Sequence, residues 1–154
     1  MKFSPTIIWR HRRENLKKCS LRGLEKRPDI HFFTYPQEVL PPLNGYVLLC
    51  MDAPPLTEAD ASLGLCLIDG TWKYAQTMEK QLPSMQKRSL PNHFVTAYPR
   101  KQTGCIDPAR GLASIEALFA AYTILKRPTA GLLDHFHWKE QFLALNIDFF
   151  PPVF

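Results

Sequence analysis

Glycine is scarce in this sequence. Its seven glycines in 154 residues fall in neither the Gly-x-Gly-x-x-Gly nor the Gly-x-x-x-x-Gly-Lys spacing, so nothing argues for a dinucleotide or P-loop nucleotide site. Cys-x-x-Cys pairs are missing too. Cys19, Cys50, Cys66 and Cys105 stand far apart, which speaks against a zinc site or a disulfide framework. Cys50 and Cys66 lie inside apolar runs, where a free cysteine serves as a small buried hydrophobe. His135 and His137 alternate on an expected helix and so diverge, and no metal is expected. No uninterrupted apolar run approaches the roughly 20 residues that span a bilayer. Met1-Lys2-Phe3-Ser4-Pro5 lacks the apolar core of a signal peptide. A cytoplasmic protein without a membrane partner is expected. Internal repeats and low-complexity tracts are also absent. The chain is 45% hydrophobic and 21% charged, which excludes disorder as a whole, and its length suits a single compact unit over 1–154.

The formal net charge is +5, but it is unevenly placed. Residues Arg10 to Arg27 hold eight Lys/Arg against Glu14 and Glu25, a balance of +6, while everything else sums to −1. One basic segment suits a localised polyanion contact. A solvated charged face would carry the same pattern.

Thr6-Ile7-Ile8-Trp9, His31 to Tyr35, Tyr46 to Met51, Leu65 to Ile68 and His93 to Ala97 read as strands. The third and fourth are near-continuous apolar runs, as expected of central strands covered on both faces of a parallel α/β sheet. Thr57-Glu58-Ala59-Asp60 has the spacing of a capped helix start, and Thr71 to Gln81 reads as helical. Leu112, Ile115, Leu118, Phe119, Tyr122 and Leu125 recur at helical steps and mark one apolar face; Pro128 ends that helix, and Gly131 to Ile147 reads as another. The expectation is an α/β part over about 1–97, a mostly parallel sheet with helices, then a loop and an α-helical part over about 98–154.

Ligands of open α/β sheets bind beyond the carboxyl ends of the strands. Two places qualify: Leu49 to Pro55, and Asp69-Gly70-Thr71-Trp72. Asp69 would either point its carboxylate into that crevice or cap the helix that follows. Ser114 and Glu116 sit at the start of the helix opening near Leu112, whose free N–H groups suit a carboxylate or phosphate, with ordinary capping as the alternative. Ser20 carries the same two readings. Cys105 has no identified base partner.

Asp69-Gly70-Thr71-Trp72 resembles the Asp-x-Thr-Trp signature of the DTW-domain proteins, tRNA aminocarboxypropyltransferases. Four further blocks resemble their relatives of the Tsr3 family, which modify small-subunit ribosomal RNA. These are Lys17-Lys18-Cys19-Ser20, Pro55 to Asp60, Leu112-Ala113-Ser114-Ile115-Glu116-Ala117, and Phe136 to Asn146. The five blocks keep the family order across roughly residues 17–146. The sequence departs from the family pattern at Asn15-Leu16, at Lys139 and at Tyr98-Pro99-Arg100-Lys101. The cysteine cluster of many DTW-domain proteins is missing, which places the resemblance on the Tsr3 side.

That resemblance implies a knotted, SPOUT-like fold with a pocket for S-adenosylmethionine (SAM). It implies transfer of the 3-amino-3-carboxypropyl group to a base nitrogen of uridine or pseudouridine. It further implies that Leu49, Met51, Trp72, Phe94, Val95 and Leu112 surround the nucleoside, that Ser20 and Ser114 hold the amino acid end, and that Asp69 lies near the reacting centre. Ribosomal RNA or the small-subunit precursor, ahead of tRNA, is the implied partner. Arg10, Arg12, Arg13, Lys17, Lys18 and Arg22 would then contact its backbone. A SPOUT-class RNA methyltransferase and a non-catalytic RNA-binding or ribosome-assembly module are the competing readings.

Overall fold

The computed structural model describes residues 3–13, 20–97 and 112–150. Five strands, β1 (Thr6–His11), β2 (Ile30–Tyr35), β3 (Tyr46–Leu49), β4 (Gly64–Asp69) and β5 (Gln86–Arg88), form one sheet in the order β2-β1-β4-β3-β5. Every pairing is parallel. Three helices accompany it: α1 (Trp72–Glu79), α2 (Ser114–Ile124) and α3 (Lys139–Leu145). None of the described helices is long and apolar enough to cross a membrane.

Strand alternation divides the core in two. Ile8, Val47, Leu49, Leu65 and Leu67 face α2, α3 and the segment carrying Leu21 and Leu24. Ile7, Leu48 and Cys66 face the other way with Leu43, flanked by Leu82 and Met85. Burial pushes the Cys66 thiol up to about 12, so this cysteine packs as a hydrophobe. At the amino ends of the strands, Thr6 and Tyr122 share a hydrogen bond of 2.8 Å, and the Tyr122 hydroxyl donates to Asp29 at 3.3 Å. Arg27 grips Asp29 with two bonds of 2.9 Å. These bonds satisfy the buried Thr6, Asp29 and Tyr122 where β1 and α2 meet the segment leading into β2.

Two expectations fail in the second half. The expected strand His93–Ala97 runs outside the sheet, and β5 is instead the polar triplet Gln86-Lys87-Arg88. An edge strand pairs on one side only and needs no apolar pattern, which is why it carries no hydrophobic signal. The expected helix over Gly131–Ile147 is helical only at Lys139–Leu145, after a run of turns opened by Gly131 at φ +83°. The capped start at Thr57 is a single 3-10 turn, Glu58–Asp60, with Thr57 and Asp60 in a reciprocal capping box.

Gly23, at φ +93°, precedes the 3-10 turn Leu24–Lys26 and packs against the His135 ring. An alanine there takes on the left-handed penalty of about 1–2 kcal/mol and must also push the imidazole aside. Gly23→Ala is expected to lower unfolding stability by about that amount in urea titration; an unchanged midpoint would show that the turn relaxes freely.

Candidate active site

The sheet order creates a crevice. After β1 the chain moves toward the β2 edge, and after β4 it moves toward the β5 edge, while β1 and β4 lie side by side. Right-handed crossovers running in opposite directions lie on opposite faces. Here Leu21 and Leu24 pack with the α2 face, while Tyr74 of α1 stacks on His11 from the other. The carboxyl ends of β1 and β4 therefore flank the topological switch point, where ligands of open α/β sheets bind.

Asp69 ends β4 at this point. Thr71 is the N-cap of α1, and its side chain makes no cap hydrogen bond. The carboxylate is buried, and Arg10 Nε donates to its Oδ2 at 3.1 Å. Arg10 is the main correction to the sequence reading. Expected as an exposed phosphate contact, it is buried at 8% exposure, ion-paired with Asp69 and laid over the Phe32 ring at 4.4 Å. Its place in the strand dictates this, because a residue at an even position of β1 projects into the α2 face.

The second half of the site is the start of α2. Its N-cap, Ala113, has no acceptor to offer the helix N–H groups. Ser20, distant in sequence, supplies one: its Oγ accepts from Ile115 N at 3.2 Å. Ser114 is the first helical residue and is half-buried. Ser20 is thus brought to the start of α2, next to Ser114 in the first turn of that helix, at its positive dipole end.

Glu116 and Asn146 build the neighbouring wall. Glu116 is fully buried, with Oε1 accepting from Ala113 N at 2.8 Å and Thr96 Oγ1 at 2.6 Å, and Oε2 accepting from Ala97 N at 2.7 Å. Asn146, also fully buried, accepts from Val95 N at 2.7 Å and donates to Val95 O at 2.9 Å. The side-chain amide thereby takes the place of a strand partner, which explains why 94–97 is extended yet outside the sheet. Phe94 is buried in the same core as Leu49, and Leu112 packs against it. Val95 and Met51 are exposed, at 43% and 63%. Trp72 opens α1, and its side chain lies outside the described set.

Of the basic segment, Arg12, Arg13 and Arg22 are exposed. Lys17, Lys18 and Cys19 lie outside the described residues, as do residues 98–111, Cys105 among them. His11, between Arg10 and Arg12, is buried and stacked on Tyr74 with centroids 3.8 Å apart. Burial, followed by the charges of Arg12 and Arg13, holds its pKa below the usual value. Among the described residues, no three His, Cys, Asp or Glu side chains gather as a metal site.

Residues 46–151 match the family described as "Ribosome biogenesis protein, C-terminal". The chain belongs to that family. Its resemblance to the Tsr3 proteins, read from ordered motifs, is supported by a solved structure, the SAM-dependent rRNA:acp-transferase Tsr3 from Vulcanisaeta distributa. The two folds superpose with a TM-score of 0.71 at 21% identity, over 94% of this chain and 79% of the other. At that identity the likeness is one of fold. No curated protein matches the chain. The family match begins at β3, so β1, β2 and the basic segment lie outside its span, although β1 contributes Arg10 to the site.

Proposed function

We propose that this protein is a SAM-dependent RNA aminocarboxypropyltransferase. It moves the 3-amino-3-carboxypropyl group of SAM to a base nitrogen of a uridine or pseudouridine in ribosomal RNA, in the cytoplasm, and releases 5′-methylthioadenosine. The observation that carries this reading is the placement of Asp69 at the switch point together with the Ser20–Ser114 start of α2. Membership of a ribosome biogenesis family supports RNA as the partner. The knotted SPOUT topology belongs to the same proposal.

The residues fit the groups that SAM presents. The α2 start offers N–H groups and the Ser114 hydroxyl to a carboxylate. Leu49, Phe94 and Leu112 offer apolar surface to the nucleoside, and Asp69 offers a negative charge to the cationic end. SAM supplies a sulfonium that activates the adjacent Cγ. The imide nitrogen of the base loses its proton to a carboxylate within reach and forms the N–Cγ bond. The Cγ–S bond breaks, and its electron pair leaves on sulfur as a neutral thioether. Asp69 serves as the proton acceptor or as the anion that orients the sulfonium, and both roles need it ionised. Holding Cγ, and not the methyl carbon, in line with the nitrogen is a matter of placement by the pocket walls.

The test is product identity. Incubation with SAM and unmodified ribosomal RNA is expected to release 5′-methylthioadenosine; S-adenosylhomocysteine would establish methyl transfer, and neither product would favour the RNA-binding module. The RNA side is tested separately. Arg12→Glu with Arg13→Glu reverses two exposed charges at the end of β1. Each lost phosphate contact removes about 0.7–0.9 from the slope of log affinity against log salt. The double variant is expected to bind RNA more weakly and with a flatter salt dependence, at nearly unchanged SAM affinity. Intact RNA affinity and slope would reduce the segment to a solvated face.

A further inference from the structure

Arg10 belongs to the basic segment by sequence and to the active site by structure. It is the register partner of Asp69 across the parallel β1–β4 ladder, so both side chains leave the sheet on one face. Both are almost wholly enclosed, with side-chain exposures of 9% and 5%. The guanidinium is held on three sides: Nε donates to Asp69 Oδ2 at 3.1 Å, Nη1 stands 3.5 Å from Glu25 Oε1, and the plane lies over Phe32. Glu25 is itself fixed, because its Oε2 accepts from Gly23 N at 2.9 Å.

Such a pair is a poor way to gain stability. Desolvation costs several kcal/mol per ion, and apolar residues of similar volume often do as well. Its location suggests another purpose, since it stands at the switch point between β1 and β4. Arg10 from β1 stands at this carboxylate, and Glu25 from the 3-10 turn stands against the same guanidinium. His11 projects from the opposite face of β1 to Tyr74.

We propose that Arg10 is a positioning residue for the transfer reaction, fixing the orientation of the Asp69 carboxylate at the mouth of the β1–β4 crevice. This role rests on the function proposed above. It also separates Arg10 from Arg12 and Arg13: one arginine serves the chemistry, the next two serve the RNA backbone.

The experiment compares wild type, Arg10→Met and Arg10→Lys as full-length proteins, following 5′-methylthioadenosine release from SAM and ribosomal RNA. Arg10→Met should lower kcat on the order of 10²-fold, as misplacement of a reacting group does, with a smaller change in KM for SAM. Arg10→Lys keeps the charge and loses the planar fork, so it should recover only part of the lost kcat. Should Arg10→Met fail to fold, Arg10→Lys decides by the same split of kcat from KM. A folded variant whose kcat and KM for SAM worsen in equal measure would overturn the proposal and leave Arg10 a structural partner. An unchanged kcat would overturn it as well. Wild type that releases no 5′-methylthioadenosine would overturn the transfer activity itself, and this role with it.

Discussion

Asp69→Asn is expected to slow 5′-methylthioadenosine release on the order of 10²-fold or more while SAM affinity changes far less. Asparagine is the informative replacement because it keeps the shape of the side chain. Its amide oxygen still accepts from Arg10 Nε, now 3.1 Å from Asp69 Oδ2, so the buried guanidinium keeps a partner. Alanine would instead break the buried pair, at a cost of about 3–5 kcal/mol, and confuse chemistry with folding. What asparagine removes is the charge, which either role of Asp69 requires. Single-turnover rates and calorimetric SAM affinities separate the outcomes. Equal losses in both would make Asp69 a binding or structural group.

Glu116→Gln should be the most damaging conservative change to the wall beside the start of α2. The carboxylate accepts three hydrogen bonds, from Ala113 N, Thr96 Oγ1 and Ala97 N, at 2.6–2.8 Å. It does so beside the amino end of α2, where a negative charge is favoured. Glutamine offers one acceptor oxygen and sets an amino group against donors at the other position. Bonds to a charged acceptor contribute about 1.5–3 kcal/mol each. A stability loss of about 2–4 kcal/mol follows, or a fall in Tm of roughly 5–15 °C for a chain of this length. Because Glu116 ties 94–97 to α2, SAM affinity should drop at least about tenfold, the equivalent of one such bond. Wild-type Tm and affinity in this variant would mean that the 94–97 wall stands without it.

The elements that define the crevice were legible because their signals are local. β3 and β4 are buried on both faces and so read as continuous apolar runs. α2 repeats apolar residues at helical steps. Asp69 and Ser114 could be placed by their positions at a strand end and a helix start, whereas Ser20 was placed with them only through the resemblance. What escaped depends on partners distant in sequence. β5 is an edge strand with polar residues, ordered by its pairing with β3. The 93–97 segment has the composition of a strand, yet its backbone bonds are taken by Asn146 and Glu116. Composition cannot tell a sheet ladder from a side-chain clamp. Glu116 did leave one trace: it stands three residues after the N-cap, the capping-box position. Arg10 was hidden by its neighbours. In a run of basic residues it looked like one more phosphate contact, and only the register of β1 against β4 turns it inward.

Transfer from SAM labelled separately in its methyl group and in its aminocarboxypropyl carbons tests the central claim most directly. The wild-type protein and unmodified ribosomal RNA would be incubated with each form, and the RNA digested to nucleosides for mass spectrometry. The aminocarboxypropyl label should appear on a uridine or pseudouridine, with the methyl label leaving in 5′-methylthioadenosine and Asp69→Asn nearly abolishing the incorporation. Methyl label in the RNA, or no label from either form, would contradict the account.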